Sequence, residues 1–146
     1  MSAPIRVLIA DDNLSLCTGM QVLLSREEDM EVLGFTTTAE ATLQRAEKLH
    51  PDVVLLDVEM PPASGIDTGA KLLAASPAPK ILMVSANDRR ETIERALAVG
   101  ASGFFTKQCS FAKLADAVRD VASGKTYLCL ISERIIGRAS GRSASI

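Results

Sequence analysis

Short apolar runs separated by helical repeats constrain this chain more than any other feature. Four runs stand out: residues 5–10 (IRVLIA), 53–56 (VVLL), 81–84 (ILMV) and 103–105 (GFF). A weaker fifth, 30–35 (MEVLGF), precedes a Thr-rich turn. Most are near-continuous rather than alternating, which is how strands read when both faces of a parallel sheet are covered. Between them, apolar residues recur at helical spacing. The sets are Cys17, Met20 and Leu24; Ala39, Leu43 and Ala46; Ile66, Ala70 and Leu73; Ile93, Ala96 and Leu97; and Leu114, Ala117, Val118 and Val121. Boundary residues fit. Asp88 and Glu91 have capping-box spacing, Gly100 and Gly124 sit where helices should stop, Ser110 can cap the last helix, and His50-Pro51 closes the second. Five strand–helix units in alternation require right-handed crossovers and helices on both faces. The expected fold is α/β: a doubly wound, five-stranded parallel sheet.

In such sheets ligands bind beyond the carboxyl ends of the strands. The first strand delivers Asp11 and Asp12 there, the third Asp57, the fourth Ser85 and the fifth Lys107. Each alone reads as a solvated strand end or a turn cap. Gathered at one mouth, three carboxylates repel one another until a proton or a cation joins them. A hard divalent ion such as Mg²⁺ suits oxygen ligands, and it usually keeps water and phosphate oxygens in its shell. An Asp beside it can serve as a nucleophile, forming an acyl phosphate. Lys107 would offset charge on the transferring group and Ser85 would hydrogen-bond a phosphoryl oxygen, which is the positioning and charge stabilisation that phosphoryl transfer needs.

The segments VLIADDN, DVVLLDVEMPPASGID, ILMVSA and GASGFFTK, in order and at strand ends, resemble the response-regulator receiver domains of two-component signalling, whose fold is flavodoxin-like (CheY-like). The resemblance spans residues 4–124 and assigns 1–124 to the receiver and 125–146 to a linker-like tail. It implies that Asp57 is the phosphoacceptor and touches Mg²⁺, that Asp12 ligates the ion directly and Asp11 through water, and that the Glu59 backbone carbonyl is a further ligand. It makes Ser85 the switch hydroxyl, Lys107 the phosphate-pairing lysine and Phe104 the switch aromatic, and it places Glu59 and Asn87 beside the path of a hydrolysing water. The implied partners are a sensor histidine kinase or histidine phosphotransfer protein, and a second copy meeting through the face of the fourth helix, fifth strand and fifth helix (α4-β5-α5). IRVLIADD, MPPASGID and SGKTYL are most similar to receivers that precede LuxR-type helix-turn-helix domains. The chain departs from many receivers in carrying Gln108, not Pro, after Lys107, and a second Pro in Met60-Pro61-Pro62. Asp57-Val58-Glu59 also loosely resembles the aspartate pair of haloacid-dehalogenase-like phosphatases, but its second position is Glu and no substrate cap is evident.

Other classes find little support. The 146 residues carry a net charge of −2 and no Trp, which argues against wholesale nucleic-acid binding. No Gly-rich nucleotide loop follows the first strand. His50 has no accompanying nucleophile motif. No apolar stretch is long enough for a signal peptide or a membrane span, so a cytoplasmic location is expected. Cys17, Cys109 and Cys129 have no spacing that supports a metal or redox site and read as reduced, half-buried thiols. In the tail, Lys125, Arg134, Arg138 and Arg142 outnumber Glu133, and Ile131, Ile135 and Ile136 fit one face of a short helix. The Gly/Ser/Arg-rich end reads as a flexible linker, or else as a DNA-touching arm. A DNA-reading module would need several dozen more residues, and none is expected within 125–146.

Overall fold

A computed structural model describes residues 3–137. Strands β1 (Ile5–Ala10), β2 (Met30–Thr36), β3 (Val53–Asp57), β4 (Lys80–Ser85) and β5 (Gly103–Thr106) alternate with helices α1 (Leu14–Ser25), α2 (Ala39–Leu49), α3 (Gly65–Leu73), α4 (Arg90–Ala98) and α5 (Leu114–Ala122). A two-residue hairpin, Glu59–Met60 with Ala63–Ser64, intervenes before α3. The sheet is parallel throughout, in the order β2-β1-β3-β4-β5 and then one strand more. That sixth strand, β6 (Tyr127–Leu128), pairs with β5, and α6 (Leu130–Ile136) follows it. Five strands and a linker-like segment after residue 124 were expected. Instead residues 127–136 fold onto the edge of the sheet, because Tyr127, Leu128 and Cys129 each find a buried place there. Arg138 and Arg142, and with them the flexible end and the DNA-touching arm, lie outside the described residues.

The continuous apolar runs fill two cores, one on each side. Val7, Ile9, Leu55, Val84 and Phe105 face α1 and α5, while Leu8, Val54, Leu56, Met83 and Phe104 face α2, α3 and α4. Successive residues of a strand point to opposite faces, and both faces are covered, so the strand centres are apolar at consecutive positions. For the same reason Phe104 and Phe105 are both fully buried.

Helix faces largely follow the expected spacing, with two departures. In α3 Gly65, Ile66, Thr68, Gly69 and Leu72 are buried; of the expected Ile66, Ala70 and Leu73, Leu73 is half-buried against the core and Ala70 is exposed. Glycine lets this helix lie close to the sheet: a Cβ at Gly69 would come within 3.0 Å of the Met83 Cε. The Asp88–Glu91 capping box does not form. Arg89 is the N-cap of α4 without a side-chain bond, and the Asn87 side chain accepts from the Arg89 amide instead. His50 ends α2 in the left-handed conformation at φ 50°, and Gly100 and Gly124 have φ values of 112° and 93°. Ser110 accepts from the Ala112 amide, as a cap should.

Candidate functional site: an acidic pocket at the strand ends

Register brings the site together. Ala10 lies opposite Leu56, Asp57 opposite Val84, and Ser85 opposite Thr106. The residues at or just beyond these positions, Asp11, Asp12, Asp57, Ser85 and Lys107, therefore rise side by side from four neighbouring strands. One carboxylate oxygen each from Asp11, Asp12 and Asp57 can be chosen so that all three lie within 4.8 Å of one another. Asp11 and Asp57 are buried and Asp12 is exposed. Lys107 Nζ stands 2.9 Å from Asp11 Oδ2 and 3.6 Å from Asp57 Oδ2. The geometry thus brings the Asp11, Asp12, Asp57 and Lys107 side chains into one pocket.

Each group is held by its local fold. Asn13 caps α1 by accepting from the Leu16 amide, and its own amide donates to Asp11 Oδ1 at 2.9 Å. The Asp11 carbonyl accepts from the Cys17 thiol at 3.1 Å. Asp57 Oδ1 accepts from the Glu59 amide at 3.1 Å, which fixes the start of the small hairpin. The Lys107 amide donates to the Ser85 carbonyl at 2.8 Å, so the lysine loop leaves the sheet beside Ser85. Ser85 Oγ is buried and accepts from the Asn87 amide at 2.9 Å, leaving its proton available to donate. Phe104 lies three residues before Lys107, with its ring already wholly inside. The cis peptides among the described residues are Pro61-Pro62 and Ser76-Pro77, so the Lys107-Gln108 bond is trans.

The electrostatics follow from crowding. Burial, together with the Asp11 and Asp12 carboxylates, pushes the Asp57 carboxyl up to about 6 against the opposing pull of the Glu59 amide and Lys107. Burial acts to lower Lys107, but its contacts with Asp11 and Asp57 prevail and raise it, so the ammonium is firmly charged. One lysine cannot neutralise three carboxylates. Asp11 Oδ2 is buried and, apart from its ion pair with Lys107, has no well-angled hydrogen bond. A buried acceptor in that condition suits a hard cation, and oxygen donors are what such a cation takes.

Two contributors carried no signal in the sequence reading. Gly65 opens α3 directly against the backbone of the Asp57 strand end: its amide donates to the Val58 carbonyl at 2.6 Å, and a Cβ there would lie 2.0 Å from the Asp57 carbonyl oxygen. Asn13 orients Asp11 through a backbone amide that no side-chain motif announces.

Comparisons with known proteins agree with this geometry. Residues 7–119 match the family of the response regulator receiver domain. The chain is 36% identical over 124 residues to the response regulator GacA of Pseudomonas viridiflava, covering 85% of this chain and 58% of that protein. It is 34% identical over 125 residues to the nitrate/nitrite response regulator NarL of Escherichia coli, covering 86% and 58%. It therefore spans little more than half the length of these relatives. Among solved structures, the signal receiver domain of NarL from Mycobacterium tuberculosis superimposes with a TM-score of 0.80 at 30% identity, covering 85% of this chain and all of that one. A LuxR-family response regulator from Aurantimonas superimposes at 0.87 and 22% identity, covering 92% and 96%, a likeness of fold. The match is to a signalling receiver, and the phosphatase alternative gains nothing from it. Fold, pocket and kinship agree: the chain belongs to the response-regulator receiver family of two-component signalling.

Proposed function

We propose that Asp57 accepts a phosphoryl group from the phosphohistidine of a sensor histidine kinase or a histidine phosphotransfer protein, and that the chain catalyses its own phosphorylation and dephosphorylation. The observation that carries this reading is the convergence of three carboxylates with Lys107 at one mouth. Asp11, Asp12, Asp57 and the Glu59 carbonyl would hold Mg²⁺, which when bound supplies charge neutralisation for the phosphoryl oxygens. A carboxylate oxygen of Asp57 attacks phosphorus, an O–P bond forms and the N–P bond of the donor breaks, the imidazole leaving with a proton. Lys107 moves part of its pairing from the carboxylates to the incoming group. Ser85 donates its proton to a phosphoryl oxygen, and Glu59 and Asn87 flank the water that later hydrolyses the acyl phosphate.

Phosphorylation adds about −1.5 to −2 charges at the pocket. Drawing Ser85 toward that charge pulls on the β4–α4 junction and biases the face formed by α4, β5 and α5. Because Phe104 is already inside, the response lies in how α4 and the sheet edge pack around it rather than in a ring swinging in from solvent. The output is homodimerisation or effector binding through that face in the cytoplasm. The whole-length relatives suggest a DNA-binding transcription regulator of the LuxR type, of which this chain is the receiver.

Incubation with acetyl phosphate and Mg²⁺ should add the mass of one phosphoryl group to the intact chain. The adduct should need the divalent ion and should be absent in Asp57→Asn. An equal gain in Asp57→Asn, or none in the wild-type chain, would overturn the assignment.

A further inference from the structure

Sequence spacing gave no reason to pair the cysteines, yet the fold sets two of them together. Cys109 lies in the loop after β5, and Cys129 joins β6 to α6. Thr106 Oγ1 is 3.3 Å from the Cys109 Sγ and 3.8 Å from the Cys129 Sγ, so both sulfurs gather around one buried hydroxyl. Ser132 Oγ is a further 3.2 Å from the Cys129 Sγ. All three cysteines are buried rather than half-buried.

We propose that Cys109 and Cys129 form a reversible disulfide site that responds to hydrogen peroxide and, when oxidised, ties the lysine loop to the C-terminal strand–helix unit.

The chemistry distinguishes the thiols. Burial works to raise Cys129, but hydrogen bonds from Cys109, Ser132 and the nearby backbone outweigh it and hold the group below the ordinary thiol range. Cys109 is pushed up to about 11 by burial and by donating to Cys129, and Cys17 is likewise pushed up to about 11 by burial and the adjoining Asp11. Thiolate is the reactive form, so Cys129 is the attacking sulfur and Cys109 the resolving one. The Cys129 sulfur attacks the O–O bond of peroxide. An S–O bond forms, the O–O bond breaks, and hydroxide leaves as water after taking a proton. Cys109 then attacks the sulfenic sulfur: the S–S bond forms, the S–O bond breaks, and a second water departs with the Cys109 proton. Two thiols lose two electrons and two protons, and peroxide takes up both to become two waters.

Access comes from the edge of the sheet. Gln108 and Ser110, on either side of Cys109, are exposed. Cys129 is roofed by a two-residue strand and a seven-residue helix. That roof is weakly held, because Glu133 Oε2 is buried there with no hydrogen-bond partner among the described residues, a condition that penalises the docked state. Local opening of β6 and α6 admits a small oxidant without unfolding the sheet.

The test is peptide mapping of the folded wild-type chain after hydrogen peroxide and alkylation. The free-thiol count should fall from three to one, with Cys109 cross-linked to Cys129, Cys17 alkylated, and all three thiols restored by a dithiol reductant. In Cys109→Ser, dimedone should trap a sulfenic acid on Cys129, and in Cys129→Ser neither remaining thiol should react. Three free thiols persisting until denaturant is added would overturn the proposal, as would a cross-link that includes Cys17.

Discussion

Gly65→Ala is expected to destabilise the chain by about 3 kcal/mol or more, because the added methyl has nowhere to go. The built Cβ falls 2.0 Å from the Asp57 carbonyl oxygen and 2.6 Å from the Val58 Cα, and backbone atoms cannot rotate aside as a side-chain tip would. Relief requires α3 to move away from β3, which also breaks the 2.6 Å bond from the Gly65 amide to the Val58 carbonyl. A loss of that size should lower Tm by roughly 10 °C in a chain of this length. The site should suffer with it, since the displaced backbone is that of Asp57 itself. Gly19→Ala is the control. It lies within α1, a Cβ there meets nothing within 4 Å, and alanine favours helix, so it should stabilise by about 0.5–1 kcal/mol. Thermal melts of the two variants decide the matter; similar small shifts would show that α3 is not locked against the strand that carries Asp57.

Asp57→Asn is expected to stabilise the metal-free chain at neutral pH by about 2 kcal/mol, although it removes the proposed phosphoacceptor. The Asp57 carboxyl is raised from 3.8 to about 6, by burial first and by its acidic neighbours after that. An acid whose pKa is higher folded than unfolded binds its proton more tightly when folded. Stability is therefore fully present below pH 3.8 and is lost as pH rises through about 6. Asparagine carries no such penalty, so the gain should appear in urea unfolding above pH 6 and vanish below pH 4. Mg²⁺ should narrow the gap by stabilising the wild-type chain far more than the variant, as binding to the folded state requires. Parallel stability curves for the two chains at every pH would mean that Asp57 is not under repulsion.

Much of this was legible in the residues, for physical reasons that differ by element. Strands β1, β3 and β4 announced themselves because the centre of a doubly covered strand must be apolar at consecutive positions, and Asp57 and Ser85 stand out as the first polar groups where that cover ends. The convergence of Asp11, Asp12, Asp57 and Lys107 was conditional on their strand ends sharing one mouth, which the resemblance implied and the strand order supplies. The rest depended on information that periodicity does not hold. The face of α3 was misassigned by one step because Gly69 contributes no apolar signal, although its lack of a side chain is what lets the helix approach. The small size of β6, two residues long, hid it within what reads as a tail. Asp88 and Glu91 had the spacing of a capping box, but Asn87 bonded the Arg89 amide first. Cys109 and Cys129 meet only because β6 docks beside β5.

The central assertion is that three acidic side chains remote in sequence form one cation site. Isothermal titration of the folded chain with Mg²⁺ tests it most directly, with Asp12→Ala as the comparison, since Asp12 is exposed and its loss should leave the fold intact. One ion should bind per chain, affinity should weaken as pH falls through about 6, and Asp12→Ala should weaken binding by roughly 10–100-fold or more. Unchanged Mg²⁺ affinity in Asp12→Ala, or binding indifferent to that pH range, would contradict the account.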